Sequence, residues 1–169
     1  LALGITIAAG AAAQDLPKAQ FKAIGLNSPT PVSIYDELPF WRKTIPEASK
    51  GAITVDITPL DQMGIDDKTM LRLLKLGVMD FAAMDISKMA GDDPRFEACD
   101  LAGLTLDPDK ARAACNAYRD VIDRQMQKNW NAKVLAFGAN TPQVFWCREI
   151  ATGLDGLKGK KVRVFNNTM

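Results

Sequence analysis

The chain has 169 residues, 47% of them hydrophobic and 24% charged, and its 21 basic side chains nearly cancel its 20 acidic ones to leave a formal net charge of +1. That balance is globular and lacks the broad basic field of a nucleic-acid binder; the local run Lys158, Lys160, Lys161 and Arg163 has no interleaved aromatics for stacking bases, so no nucleic-acid partner is expected. With no histidine, neither a Ser-His-Asp triad nor a His-containing zinc centre can be built from these residues.

Residues 1–13 are apolar and uncharged, and they close in small residues before Gln14 and Asp15. This is the pattern of the hydrophobic region and cleavage site of a secretory signal peptide, with cleavage expected after Ala13. No methionine or basic stretch precedes it, so it reads as a partial signal peptide, with residues 14–169 as the exported lobe. It is shorter than the ~20 apolar residues a spanning helix needs, and no later stretch is long enough, so the mature chain is not expected to cross the membrane itself.

Residues 21–27 alternate weakly and stop at Ser28-Pro29-Thr30-Pro31, a strand followed by a turn. Ile34, Leu38, Trp41 and Ile45 then recur at helical spacing over 32–50, with Pro39 and Pro46 predicting a kink or an early end. Residues 52–60 are β-branched and alternating, a second strand, and 61–67 form a loop. Asp66 or Asp67 caps a helix carrying Met70, Leu71, Leu74 and Leu76 that stops at Gly77.

A third strand is predicted over 78–84, with Asp85 just past its end. Asp107 and Pro108 start a long helix reaching about Asn129, with Ile122 and Met126 on its inner stripe. Residues 133–138 and 143–147 read as further strands, and the turn at Leu157-Lys158-Gly159 feeds a last strand holding Arg163 between two valines. Strand and helix alternate, which implies parallel strands joined by helical crossovers, an α/β fold with a largely parallel sheet flanked by helices. The last strand has no covering helix after it, so the lobe is expected to be incomplete at its C-terminus.

Of the three cysteines, Cys99 and Cys115 are plausible disulfide partners in an oxidising compartment, and Cys147 is left as a buried thiol or a partner for a more distant cysteine. No CxxC spacing is present, so no metal site is expected.

Open parallel sheets bind ligands in the crevice outside the carboxyl ends of their strands. Asn27 ends the first strand, Asp66 follows the second, Asp85 the third, Arg148 follows Cys147, and Arg163 lies late in the last. Each has an ordinary alternative as turn former, helix cap, loop acid or solvated charge, and Arg163 could pair with a protein carboxylate. Two arginines among them describe an anion-binding cleft better than a catalytic one, because no nucleophile-base pair accompanies them.

Residues 21–27, 73–81, Asp92-Asp93-Pro94-Arg95-Phe96 and above all Asp155-Gly156-Leu157-Lys158-Gly159-Lys160-Lys161-Val162-Arg163-Val164 resemble the periplasmic solute-binding proteins of TRAP transporters, the DctP-like family. The resemblance covers about 21–169. It implies the N-terminal lobe of a two-lobed, periplasmic-binding-protein type II-like fold that closes on an organic acid and delivers it to the membrane subunits of an ion-gradient-driven transporter, without a cofactor and without catalysis. Residue by residue, it implies that Arg163 clamps the ligand carboxylate, that Arg148 assists, that Asn27 faces the ligand, and that Asp85 and, more weakly, Asp66 meet its hydroxyls or amines. Phe165-Asn166-Asn167 departs from the proline often found after the arginine strand. The rivals are a secreted enzyme using Asp85 or Asp66 as acid or base on a carboxylate substrate, and a periplasmic ligand-sensing domain.

Overall fold

The computed structural model describes residues 16–99, 101, 105, 107–138, 146–150 and 152–163. The expected leader, residues 1–13, lies outside them. Two seven-residue strands form where β-branched and apolar residues alternate with polar ones. β1 (Ala19–Gly25) and β2 (Ile53–Pro59) pair in parallel from Ala19 opposite Ile53 to Gly25 opposite Pro59, and β3 (Phe81–Ala82) joins the other edge of β1, also parallel. Among the described residues the sheet order is β2-β1-β3. This is the parallel α/β arrangement the sequence predicts.

The crossover from β1 to β2 is a helical stretch of two i→i+5 turns, Ser33–Glu37 and Phe40–Thr44, followed by α1 (Ile45–Ala48). Pro39 and Pro46 neither end it early nor break it. Each follows a residue that closes a widened turn, Leu38 N–H donating to Ser33 O and Ile45 N–H to Phe40 O. The carbonyls an α-helix would press against the two rings, those of Tyr35 and Arg42, lie within those wider turns, so the helix continues. It stops where Lys50 (φ 52°) and Gly51 (φ 78°) turn left-handed.

From β2 the chain runs through α2 (Leu60–Met63) into α3 (Asp67–Lys75). Asp66 caps α3 by accepting the Thr69 N–H at 2.8 Å. At its other end Gly77 takes φ 69°, which lets Val78 N–H reach Leu73 O and Gly77 N–H reach Leu74 O, both at 3.0 Å. Those bonds occupy the start of the strand predicted over 78–84, which shortens to Phe81–Ala82. Asp80 extends the pairing by other means: its backbone N–H donates to Lys22 O at 2.9 Å and its carboxylate accepts the Lys22 N–H at 2.8 Å.

Alternation along β1 gives the sheet two different covers. On one face Phe21 and Phe81 meet edge-on at 5.4 Å, and Trp41 from the i→i+5 helix packs on Phe81 at 4.9 Å. On the other, Ile24 is buried with Leu60 and Met70. Leu71, one residue on from Met70, belongs to a second cluster with Met89, Phe96, Ile122 and Met126. Helix α3 thus lies between the sheet and α4 (Pro108–Trp130), which starts on the predicted cap: Asp107 accepts the N–H groups of Asp109 and Lys110 at 2.9 and 3.2 Å. Two 3-10 turns, Ile86–Met89 and Pro94–Glu97, supply Met89 and Phe96 to this cluster.

The strand predicted over 133–138 is absent; the described chain there has no ladder. Val134 and Phe137 pack against the second cluster, and Val134 N–H donates to Asp123 Oδ1 at 2.8 Å while its carbonyl accepts from Arg119 Nη2 at 2.9 Å. Side chains of α4 satisfy the backbone that a neighbouring strand would otherwise pair. Of the strand predicted over 143–147, residues 143–145 lie outside the described residues, and Trp146 and Cys147 are exposed and in no strand. The turn before Arg163 is the 3-10 turn Leu154–Leu157, and residues 160–163 form no ladder.

Candidate functional site

The carboxyl ends of β1 and β3 open onto a recess of about 60 Å³, with Asn27, Thr30, Asp67, Asp85 and Lys88 as its polar lining and Leu26, Leu60 and Met84 among its apolar one. Ligand pockets commonly span about 300–1,000 Å³, so this recess has room for one polar group and not for a whole solute.

Asn27 is set by its neighbours. Leu26 N–H donates to Glu37 Oε2 at 2.8 Å, and Ser28 donates its N–H and its hydroxyl to the two oxygens of Asp61 at 2.7 and 2.6 Å. The Asn27 carbonyl in turn accepts from the Thr30 hydroxyl at 2.8 Å and the Thr30 N–H at 3.1 Å. Bonds on both flanks fix the backbone of the residue that faces the recess, the preorganisation a binding wall requires. Hydrogen bonds from the Ser28 side chain and backbone hold the Asp61 carboxyl below the usual range, whereas burial pushes Glu37 up against the opposing pull of the Leu26 N–H.

Lys88 is the cation of the recess. Its ammonium lies 3.2 Å from Asp67 Oδ2 and 3.9 Å from Asp85 Oδ2, all three side chains being partly exposed. Asp67 stands at the start of α3, and Asp85 precedes, and Lys88 lies within, the 3-10 turn that follows β3, so two crossings of the sheet deliver the triad. One ammonium between two carboxylates can donate to an incoming anion, while the carboxylates accept from hydroxyl or amine groups. Among the described residues no three metal-ligating side chains cluster.

Of the five predicted site residues, the structure brings Asn27 and Asp85 into one recess. Asp66 does not line it: its exposed carboxylate caps α3, held below the usual range by hydrogen bonds from the Thr69 side chain and backbone, and Asp67 beside it reaches the recess instead. Arg148 is exposed, next to Glu149, which pairs with Lys160 at 2.7 Å. Arg163 is exposed as well, and neither arginine lines the recess. Sequence reasoning missed Lys88 and Thr30 and took Asp67 only as a cap. The available signal was spacing: Lys88 stands three residues after Asp85, within reach on a tight turn. The Cys115 thiol lies 3.8 Å from the Cys99 carbonyl oxygen, and both residues are thiols here.

The profile of the family described as bacterial extracellular solute-binding protein, family 7 (DctP), matches residues 24–169. This chain is a member of the DctP family. The DctP chain is 30% identical over 135 residues to the sialic acid-binding periplasmic protein SiaP of Vibrio cholerae serotype O1, a match that takes in 78% of this chain and 41% of SiaP. It therefore spans about two fifths of the length of that curated relative. Its fold is similar to that of DctP7, a Bordetella pertussis extracytoplasmic solute receptor binding pyroglutamic acid (TM-score 0.55, 15% identity, 65% of this chain and 36% of that one). It is also similar to a TRAP periplasmic solute-binding protein from Ochrobactrum anthropi, solved with its C-terminus in the ligand-binding pocket (TM-score 0.57, 20% identity, 68% and 35%).

These likenesses give the DctP chain a periplasmic-binding-protein type II-like α/β fold. The family and its solved neighbours are binding receptors rather than enzymes. Among the described residues no helix is long and apolar enough to cross a membrane.

Proposed function

We propose that this protein is an extracytoplasmic receptor lobe that captures an organic acid at the carboxyl ends of β1 and β3 and presents it to the membrane subunits of a TRAP-type transporter. The observation that carries this reading is the convergence of Asn27, Asp67, Asp85 and Lys88 on one recess, with Asn27 locked in place from both sides. The relatives support the ligand class, since the names of two of them specify acids, sialic and pyroglutamic. Residues 1–13 act as the export leader and 14–169 as the lobe. A second lobe supplies the remaining contacts, and closure follows from a solute bridging the two.

In this proposal Arg163 forks the ligand carboxylate, with Arg148 assisting, and Lys88 fixes a second acceptor. The test is a thermal-shift screen of the full chain against organic acids, repeated with Arg163→Ala and Lys88→Met. A native-state ligand must raise Tm by mass action, so an acid should stabilise the parent, and each variant should lose most of that shift. An unchanged shift in Arg163→Ala would remove Arg163 from the site, and no shift with any acid would sink the ligand class.

A further inference from the structure

We propose that Cys99 and Cys115 form a reversible disulfide that staples the turn Pro94–Glu97 to α4. The two residues are 16 positions apart, and the Cys115 sulfur lies 3.8 Å from the Cys99 carbonyl oxygen. That contact puts the Cys115 thiol against the main chain of Cys99, the closeness of two cysteine backbones that a disulfide requires. The surroundings hold that main chain in place. Arg95 Nη2 donates to Gln125 Oε1 of α4 at 2.8 Å, and Phe96 meets Trp130 of α4 edge-on at 5.6 Å. The turn just before Cys99 is therefore already docked on the part of α4 that follows Cys115. Both cysteines are half-buried, so a reagent can reach them, and the extracellular family places them where disulfides persist.

The step is thiol–disulfide exchange with an external disulfide, carried by a protein oxidant or a small disulfide. One cysteine thiolate attacks the oxidant and expels one of its sulfurs as a thiol. The second cysteine thiolate then attacks the mixed disulfide and expels the other. The products are one Cys99–Cys115 bond and two thiols on the former oxidant, and the two protons released by the cysteines are taken up by those thiols. Once formed, the bond shortens the reach of the unfolded chain and so raises the folded fraction.

Trypsin places the three cysteines on separate peptides, 96–110, 113–119 and 134–148, which makes the test direct. The full chain is recovered from an oxidising compartment, alkylated, digested without reduction and weighed, alongside Cys115→Ser and Cys147→Ser. The expected product is peptide 96–110 joined to 113–119 and lighter than their sum by two hydrogens, present in the parent and in Cys147→Ser. Reduction should lower the Tm of both by roughly 10 °C and leave that of Cys115→Ser unmoved. Three alkylated thiols in the parent, or a link running through Cys147, would overturn the proposal. If Cys115→Ser fails to accumulate, the loss and return of the linked peptide on reduction and reoxidation of the parent decides the same question.

Discussion

Glu37 Oε2 accepts the Leu26 N–H at 2.8 Å, and the same oxygen lies 2.8 Å from where a β-carbon on Gly25 would stand. The glycine ends β1 bare because a carboxylate must pass over it to reach the next amide. Gly25→Ala would press that carboxylate, and Ile57 Cδ1 at 3.1 Å as well, and should cost about 1–3 kcal/mol in urea unfolding. In a Glu37→Ala background the same substitution should cost less, and a double-mutant cycle with no coupling would contradict this packing account.

Stability should fall on both sides of a mildly acidic optimum. Burial raises Glu37 above its ordinary 4.5, so between 4.5 and the raised value the native state holds more protons than the unfolded one, and stability drops as pH climbs through that window. Asp61 and Asp66 are held below 3.8 by hydrogen bonds from Ser28 and Thr69, and Asp93 by one from the Arg95 side chain, so their contribution is present above 3.8 and is lost as pH falls. Glu37→Gln should flatten the upper limb and leave the acid limb intact. Urea midpoints from about pH 3 to pH 8 would show it, and an unchanged upper limb would refute the assignment.

Removing the Asp107 carboxylate strands two amides at the start of α4, those of Asp109 and Lys110. Asp107→Ala should destabilise by about 1 kcal/mol, and Asp107→Asn, which keeps an acceptor, by much less. Equal losses for the two would mean that charge, not capping, sets the value.

Phe96 is wholly buried and packs on Trp130 at 5.6 Å, whereas Tyr35 is 75% exposed. Phe96→Ala should therefore cost about 3–5 kcal/mol and Tyr35→Ala no more than about 0.5. Comparable unfolding midpoints for the two variants would place the core elsewhere.

Lys88→Met leaves Asp67 and Asp85 facing the recess without their shared cation. Affinity for an acid that stabilises the parent should fall roughly 10- to 100-fold, the range expected for one charge-assisted hydrogen bond. Calorimetric titration measures it. Retained affinity would assign the anion contact to other residues.

The parts of the fold legible in the sequence are those whose signals are local. Asp66 and Asp107 announced α3 and α4, Gly77 the end of α3, and the alternating β-branched run of 52–60 the second strand. What escaped depends on partners far away in the chain. The apolar alternation of 133–138 looks like a strand, yet Arg119 and Asp123, one helical turn apart on α4, take its backbone groups before any strand can. The rule of strand ends found Asn27 and Asp85, because a crossover sheet puts them at one edge. It passed over Lys88, which sits on a short 3-10 turn whose existence no hydrophobic period reveals.

Lys88 is held by Asp67 and Asp85, and that tells against any visitor with only charge to offer. Entry is an exchange: a newcomer must match, in donors and acceptors together, what the ammonium already enjoys. Simple inorganic anions, which bring acceptors alone, would draw the lysine off and offer the two acids no donor in its place. A hydroxylated or amino-bearing acid can answer all three at once, so under the proposed function the three groups would act as a filter on the solute.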